Sequence, residues 1–274
     1  MVVLVTGCRS GFGKLAAEEL GRRGHTVYAG LRDVTTGDAL RDATAGLDVR
    51  PLALDVTRAD EREAAVERIL AEHGRIDALV NNAGRALGGF LEQVDEDELR
   101  ALYDVNVFAV FALTQLVLPP MRAQGAGRIV MVSSTAGQLA LPGLGAYASS
   151  KFALEGLSEA WRQELLPFGI GVHLLEPGAY ATDIWGRNRA LARRATAGDG
   201  PYAERQRHME ALYERMMPRA HDPHDVALEI ARMVEGERPV LRHMMGPDTW
   251  KRRLLKRFAP QRVVEAMVRR MTTP

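Results

Sequence analysis

Val2-Val3-Leu4-Val5-Thr6-Gly7-Cys8-Arg9-Ser10-Gly11-Phe12-Gly13 opens the chain, and the reading of this stretch decides the fold. Val2–Thr6 is an unbroken β-type run of the kind buried on both faces of a sheet. It passes through a glycine-rich turn straight into Phe12–Arg23, where Leu15, Ala16 and Leu20 fall at helical spacing. Glycines at 7, 11 and 13 let the backbone turn tightly and approach a ligand where a Cβ would not fit.

Outward from this junction the alternation continues. Thr26–Leu31 is the next strand, followed by a polar helix, then strand Arg50–Leu54 and helix Arg58–His73. Strand Ala78–Asn81, a long helix Glu96–Met121, strand Arg128–Ser134, helix Tyr147–Leu166 and strand Gly171–Leu175 complete the series. Continuous apolar strands between helices predict an α/β fold, a doubly wound parallel sheet. After Pro177 the pattern loosens. Residues 185–217 are rich in Arg, Ala and Met, show no strand, and are read as a helical substrate flap. Asp225–Glu235 reads as a capped helix and Pro239–His243 as a last strand. Trp250–Arg270 holds eight basic residues and one acid, with Leu254, Leu255, Phe258, Val263, Val264 and Met267 between them. The expected organisation is a single domain over 1–246 and a basic amphipathic helical tail over 247–274, packed on or near the core.

Composition narrows the function classes. Among 274 residues, 46% are hydrophobic and 26% charged, which excludes collagen, coiled coil and disorder. Thirty-six basic against thirty-five acidic residues leave +1, so no global field marks a nucleic-acid partner. One cysteine, Cys8, excludes an intrachain disulfide and a Cys-rich zinc site; in the glycine loop it reads as a packing residue. His221 and His224 resemble a helix start capped by Asp222 or Asp225, and no acid–His cluster suggests a metal. The N-terminus lacks the marks of a signal peptide. Val105–Met121 is interrupted by Asn106, Thr114, Gln115 and a proline pair, short of the ~20 apolar residues of a spanning helix. A cytoplasmic protein without a transmembrane segment is expected.

The glycine turn at a first strand–helix junction suits a dinucleotide pyrophosphate, with helix N–H groups and the positive dipole end behind it. The second strand ends Gly30-Leu31-Arg32, without the acid that would accept ribose hydroxyls. Arg32, with Arg9 in the loop, fits a 2′-phosphate instead, so NADP(H) is favoured over NAD(H). Against this, both are also plausible surface arginines, and Asp33 follows at once. Asp55, in Leu54-Asp55-Val56, stands at the carboxyl edge of the third strand, as a ligand contact or as an N-cap.

At the other end, Tyr147 and Lys151 lie four apart on one helix face. A phenol ionises near pH 10, and a neighbouring ammonium favours the phenolate. With six tyrosines and four lysines, chance gives about a tenth of a Tyr-x-x-x-Lys in this length. Ser134 closes the fifth strand at the ligand edge, where its hydroxyl would bond a substrate oxygen; Ser133 points the other way and is read as structural. Asn81-Asn82-Ala83-Gly84 suits a backbone pressed against a ligand, and Asn106, in an apolar helix, needs partners.

In order, Thr-Gly-x-x-x-Gly-x-Gly, Asn-Asn-Ala-Gly, Asn106, Ser134, Tyr-x-x-x-Lys and Pro177-Gly178 resemble the short-chain dehydrogenase/reductase family in its compact branch, a Rossmann fold. The resemblance spans Thr6 to Thr182. It implies Tyr147 as general acid/base and Lys151 as the residue that lowers its pKa and bonds the nicotinamide ribose. Ser134 would hold the substrate oxygen, and Asn106 a water of the proton relay. The implied cofactor contacts are Gly7, Arg9, Ser10, Gly11, Phe12, Gly13, Arg32, Asp55, Val56, Asn82, Ala83, Gly84, Tyr147, Lys151, Pro177, Gly178 and Thr182, with Asn81 on the strand beside them. Homodimers or homotetramers through Glu96–Met121 and Tyr147–Leu166 are also implied.

The expected substrate wall is apolar: Leu141, Leu144, Tyr180 and Trp185 beside Ser134 and Tyr147, with Leu139, Ile184, Met209, Leu212 and Met216 further out. Such a wall fits a bulky apolar secondary alcohol or ketone, steroid-, retinoid- or fatty-like. The run Tyr147–Gly156 is similar to hydroxysteroid and retinol dehydrogenases. Three other readings stay open: a reductase of carrier-bound 3-oxoacyl groups, a non-catalytic NAD(P)-binding sensor, and docking of the basic tail on an anionic membrane.

Overall fold

The computed structural model describes residues 1–182, 189–196, 200–216, 220–236, 240–246 and 249–273. In chain order the elements are β1 (Val2–Val5), α1 (Gly11–Arg22), β2 (Thr26–Leu31), α2 (Asp38–Ala43), β3 (Val49–Ala53), α3 (Ala59–His73) and β4 (Ala78–Asn81). Next come β5 (Ala86–Gly88), α4 (Glu96–Tyr103), α5 (Ala109–Gln124), β6 (Gly127–Val132), α6 (Gly145–Leu165) and β7 (Ile170–Pro177). They are followed by β8 (Arg189–Leu191), α7 (Ala203–Met216), α8 (His224–Val234), β9 (Arg242–Met245), α9 (Thr249–Phe258) and α10 (Gln261–Thr272).

Seven strands form one parallel sheet in the order β3-β2-β1-β4-β6-β7-β9, the doubly wound fold expected. Alternate residues of each strand face opposite layers, which is why both faces must be apolar. Leu4, Tyr28, Leu79, Ile129 and Leu174 pack with α3, α5 and α6, centred on Val117 and Trp161. Val3, Val27, Val80, Val130 and Leu175 pack with α1 and α8, centred on Leu20 and Ile230. The strand order reverses between β1 and β4, so the carboxyl ends of these two strands open a crevice.

Several boundaries differ from the sequence reading. The long helix continues to Gln124 but is wound as a π-turn over Asp104–Phe108, so Asn106 sits on a local distortion. Glu96–Gln124 is apolar enough by length to cross a membrane, yet Val110, Leu113, Val117 and Met121 are buried in the core. Region 185–217 does contain a strand. β8 pairs with β5 in a small parallel ladder that ties the flap to the body. Three residues are too short to give a period-two signal. Arg193 adds ion pairs to Asp95 and Asp97, and Tyr202 stacks on Phe90 at 4.6 Å. The basic tail is two helices, broken at Ala259-Pro260, because proline offers no N–H to continue the first.

Candidate active site

A cleft of about 690 Å3 runs along the carboxyl ends of β1, β2, β4, β6 and β7. Every expected cofactor residue lines it except Gly13, which lies beneath. Local geometry explains the glycines. Gly7 takes φ +72°, and a Cβ there would stand 2.8 Å from Ala83 Cα. At Gly13 a Cβ would stand 2.4 Å from Asn82 Nδ2 and 2.5 Å from the Gly7 carbonyl oxygen. Thr6, fully buried, accepts at Oγ1 from the Asn82 and Ala83 amides at 3.0 and 2.9 Å, and Asn82 Nδ2 donates to the Thr6 carbonyl at 2.8 Å. The two loops are thereby laced together, a role for Thr6 that the motif spelling alone did not assign. Ser10 precedes α1 without a side-chain cap bond, so no side chain occupies the first-turn N–H groups. Thr182 lies over Gly11, whose Cβ would meet its side chain at 3.6 Å. This glycine-lined turn at a helix N-terminus without a side-chain cap fits the pyrophosphate of a dinucleotide.

At the β2 end of the cleft stand Arg9, Arg32, Asp33 and Thr36. Asp33 Oδ1 accepts from the Thr35 amide at 2.9 Å and its hydroxyl at 2.6 Å, capping a short turn. These bonds, with Arg32 and Arg9 nearby, hold its carboxyl below the usual range. Asp55 lines the cleft but does not cap α3, whose N-cap is Arg58. It closes a local turn instead, accepting from the Thr57 amide and hydroxyl at 2.9 and 2.7 Å. Cys8 is fully buried and donates to the Val5 carbonyl; burial pushes its thiol pKa up, so it is inert packing.

At the β6 end Ser134, Tyr147 and Lys151 converge. Ser134 follows β6 in an extended conformation and accepts from the Ala136 amide at 3.1 Å, which orients its hydroxyl toward Tyr147. Tyr147 is buried, which pushes its phenol up to about 12, and the hydrogen bond with Ser134 opposes that rise. Lys151 Nζ donates to the Val132 carbonyl at 2.9 Å and lies 5.8 Å from the Tyr147 ring centroid. Burial lowers the Lys151 ammonium to about 8, while Glu155 one turn on opposes the fall. The arrangement can therefore hold a proton on the Tyr147 oxygen at neutral pH beside a second hydroxyl, and deliver it to a carbonyl seated between them.

Asn106 stands behind this group and does not line the cleft. Its amide donates to the Arg85 carbonyl and to Ser150 Oγ, both at 3.0 Å, and its oxygen accepts from the Arg85 amide at 3.0 Å. The side chain thus bonds Arg85, just before β5, to α6, and Gly84 lies close to both Asn106 Oδ1 and Lys151 Nζ. Asn81 is equally internal, donating to Thr114 Oγ1. Of the expected substrate wall, Ser134, Tyr147 and Tyr180 line the cleft. Tyr180 does so at the cofactor end, edge-on to Phe12 at 5.7 Å. Leu141 and Leu144 are not among the residues that line it; in their turn the Gly143 carbonyl accepts from the Gly89 amide at 2.9 Å. Trp185 and Ile184 lie outside the described residues.

The sequence reading missed a buried cluster behind Lys151. Glu155 accepts from Ser133 Oγ at 2.6 Å and pairs with Arg242, which also pairs with Glu176 and, at 2.5 Å, with Glu159. Burial, and then Glu176, raise the Glu155 carboxyl. Gly137 permits the approach, since a Cβ there would meet Glu155 Oε1 at 2.8 Å. The signal in sequence was Glu155 at i+4 from Lys151; its partners come from three distant segments. Among the described residues no group of three or more His, Cys, Asp or Glu could hold a metal. Asp222, not Asp225, meets the start of α8, accepting from the His224 amide at 2.9 Å.

Comparison with known proteins agrees with this geometry. The family model described as short chain dehydrogenase matches residues 1–192. The uncharacterized oxidoreductase YusZ of Bacillus subtilis is 39% identical over 82% of this chain and 81% of its own. A 3-ketodihydrosphingosine reductase of Bacteroides thetaiotaomicron is 35% identical over 90% and 88%. Human 17-beta-hydroxysteroid dehydrogenase type 1 is 40% identical over 66% of this chain and 57% of its own. Among solved structures, a short-chain dehydrogenase from Streptomyces avermitilis superposes with a TM-score of 0.82 at 35% identity, covering 98% and 96%. A metagenomic short-chain oxidoreductase in complex with NADP gives 0.71 at 29% identity, covering 90% and 97%. The chain belongs to the short-chain dehydrogenase/reductase family and is an oxidoreductase acting on CH–OH and C=O groups.

Proposed function

We propose that this protein is an NADP(H)-dependent oxidoreductase of an apolar secondary alcohol or its ketone, of the steroid, retinoid or fatty class, with Tyr147 as general acid/base. The observation that carries the reaction is the hydrogen-bonded pair of half-buried Ser134 and buried Tyr147 facing the cleft, with Lys151 behind it. In reduction, Ser134 orients the carbonyl oxygen and Tyr147 donates its proton to that oxygen; Lys151, charged below about pH 8, favours the phenolate left behind. NADP(H), when bound, supplies or accepts the hydride. Gly7, Gly11 and the α1 N-terminus would hold its pyrophosphate, and Asn106 holds the backbone that frames Lys151.

The NADP(H) preference rests on the β2 end. Among the described residues Arg9 and Arg32 make no hydrogen bond or ion pair, whereas the Asp33 carboxylate is occupied by Thr35. Two guanidinium groups with no hydrogen-bonded partner among the described residues suit a 2′-phosphate, although Asp33 lies near both. The apolar substrate class is supported by the relatives named for a ketosphingoid and a hydroxysteroid. We further take the protein as a cytoplasmic homodimer or homotetramer through the long helices Glu96–Met121, where Phe108 and Phe111 stand exposed, and Tyr147–Leu166. The proposed division keeps 1–246 as the catalytic domain, 185–217 as the flap and 247–274 as the tail.

The test is turnover of a panel of apolar ketones and alcohols with NADPH and with NADH, using Tyr147→Phe as blank. Arg32→Ala is expected to weaken NADPH about tenfold, the worth of one charge-assisted contact, and to leave NADH unchanged. Equal losses for both cofactors would remove the phosphate assignment. Turnover of a carrier thioester but of no free ketone would favour the 3-oxoacyl reading, and binding without any turnover the sensor reading.

A further inference from the structure

Among the described residues thirteen large hydrophobic side chains are exposed, and five of them, Trp250, Leu254, Phe258, Val263 and Met267, fall on the two tail helices α9 and α10. Trp250, Leu254 and Phe258 are spaced by four, so they form one stripe along α9, and Val263 and Met267 repeat the spacing on α10. Phe258 is 72% exposed. An apolar stripe of this kind is unusual on a monomer unless something covers it. The flanks are basic: Arg253 and Arg257 on α9, and Arg262, Arg269 and Arg270 on α10, with Glu265 the one acid of the two helices.

The opposite faces are anchored to the body. Lys256 turns inward, bonding the Gln138 carbonyl and lying 4.4 Å from the Phe152 ring centroid. Thr249 abuts Gly178 on the cleft wall, at 3.2 Å from where its Cβ would be. On α10, Val264 is buried, and the Met271 carbonyl lies 3.2 Å from His208 Nε2 on α7. The tail thus sits beside the cleft with Leu254, Arg257 and Phe258 of α9, and Val263, Met267 and the three arginines of α10, turned to solvent.

We propose that the exposed face of α9 and α10 docks on an anionic lipid surface. Charge complementarity selects this occupant. A second copy of the same face, meeting it across a two-fold axis, would bring arginine against arginine with only Glu265 to offset them. A nucleic acid would answer the arginines but leave Leu254 and Phe258 in water, whereas an interfacial helix buries its apolar side among acyl chains and pairs its basic rim with headgroups. Docking would hold the cleft against the phase in which apolar ketones dissolve; that consequence, unlike the docking itself, rests on the function proposed above.

The experiment is flotation of the full-length protein with vesicles of phosphatidylcholine, with and without phosphatidylglycerol, at rising salt. The expected result is binding to the anionic vesicles only, weakened by salt. Since each basic residue near such a surface is worth about fivefold, Arg253→Glu with Arg257→Glu should lower binding at least about tenfold. Leu254→Glu with Phe258→Glu should do the same, with the circular dichroism spectrum and turnover of a water-soluble ketone unchanged. Equal binding to neutral vesicles, no binding, salt-insensitive binding, or equal affinity for heparin would overturn the proposal. So would an oligomer, seen by light scattering, that the Leu254/Phe258 variant dissolves. The salt series on the unaltered protein needs no variant to fold, and because flotation requires no turnover, docking and substrate class fail separately.

Discussion

Gly13→Ala puts the cofactor cradle to its sharpest test, because the clash is with backbone as well as side chain. The new Cβ would stand 2.4 Å from Asn82 Nδ2 and 2.5 Å from the Gly7 carbonyl oxygen, so each must move by about 1 Å to reach ordinary contact. If Asn82 yields, its bonds to the Thr6 and Gly7 carbonyls, at 2.8 and 3.2 Å, are lost. Two hydrogen bonds at about 1 kcal/mol each, plus about 1–3 kcal/mol of overpacking, outweigh the 0.5–1 kcal/mol that alanine returns in a helix. The expected net loss is about 2–4 kcal/mol, a fall in Tm of roughly 5–15 °C for a chain of this size. The displaced first turn of α1 should also raise the KM for the dinucleotide at least about tenfold, equivalent to 1.4 kcal/mol, with a smaller effect on kcat. Thermal melts and cofactor titration check both. Gly24→Ala is the control: Gly24 has φ +80° but meets nothing within 4 Å, so it should lose about 1 kcal/mol and leave cofactor KM alone. A Gly13→Ala protein with unaltered Tm and cofactor KM would refute the close-approach argument.

Tyr147→Phe should cut kcat by about 10²–10⁴, the usual worth of general acid–base catalysis, while cofactor binding read by nicotinamide fluorescence stays the same. Loss of binding as well would make Tyr147 structural. Burial, with His243, Arg162 and Arg128 nearby, lowers the buried His173 to about 4, and the Val240 carbonyl opposes the fall. Between that value and the ordinary 6.5 the unfolded chain binds the proton and the folded one does not. Stability present above about pH 6.5 should therefore be lost toward pH 4, by up to about 3 kcal/mol. His173→Leu should flatten that window in urea titrations, and an unchanged slope would assign it to other groups. Gly156→Ala, on an α6 position with nothing within 4 Å, should stabilise by about 0.5–1 kcal/mol, with a higher Tm as the readout.

Much of the site was legible because its signals are local. The glycine turn, the Asn-Asn-Ala-Gly segment, Ser134 and Tyr147/Lys151 each lie at the carboxyl end of a strand or the start of a helix, and winding the sheet brings those ends to one edge. Where reading and structure diverge, the deciding partner is one the sequence pattern does not single out. Asp55 looked free to cap α3 until Thr57 took its carboxylate. The turn that carries Leu141 and Leu144 is tied at Gly143 to Gly89, just past β5, a pairing the sequence does not show. Lys151 shows its spacing to Tyr147 in the sequence, but not the Val132 carbonyl of β6 to which its ammonium donates in the fold.

By itself the sequence determined the doubly wound sheet, its strand sequence and the residue types at the reacting end, because apolar periodicity and backbone sterics act over a few neighbours. Only the tertiary structure decided that β8 pairs with β5, that Arg242 gathers Glu155, Glu159 and Glu176 behind Lys151, and that the tail turns Lys256 inward and Phe258 outward. Those outcomes depend on which distant surfaces meet, and burial energy between segments far apart in sequence leaves no periodic trace in either one.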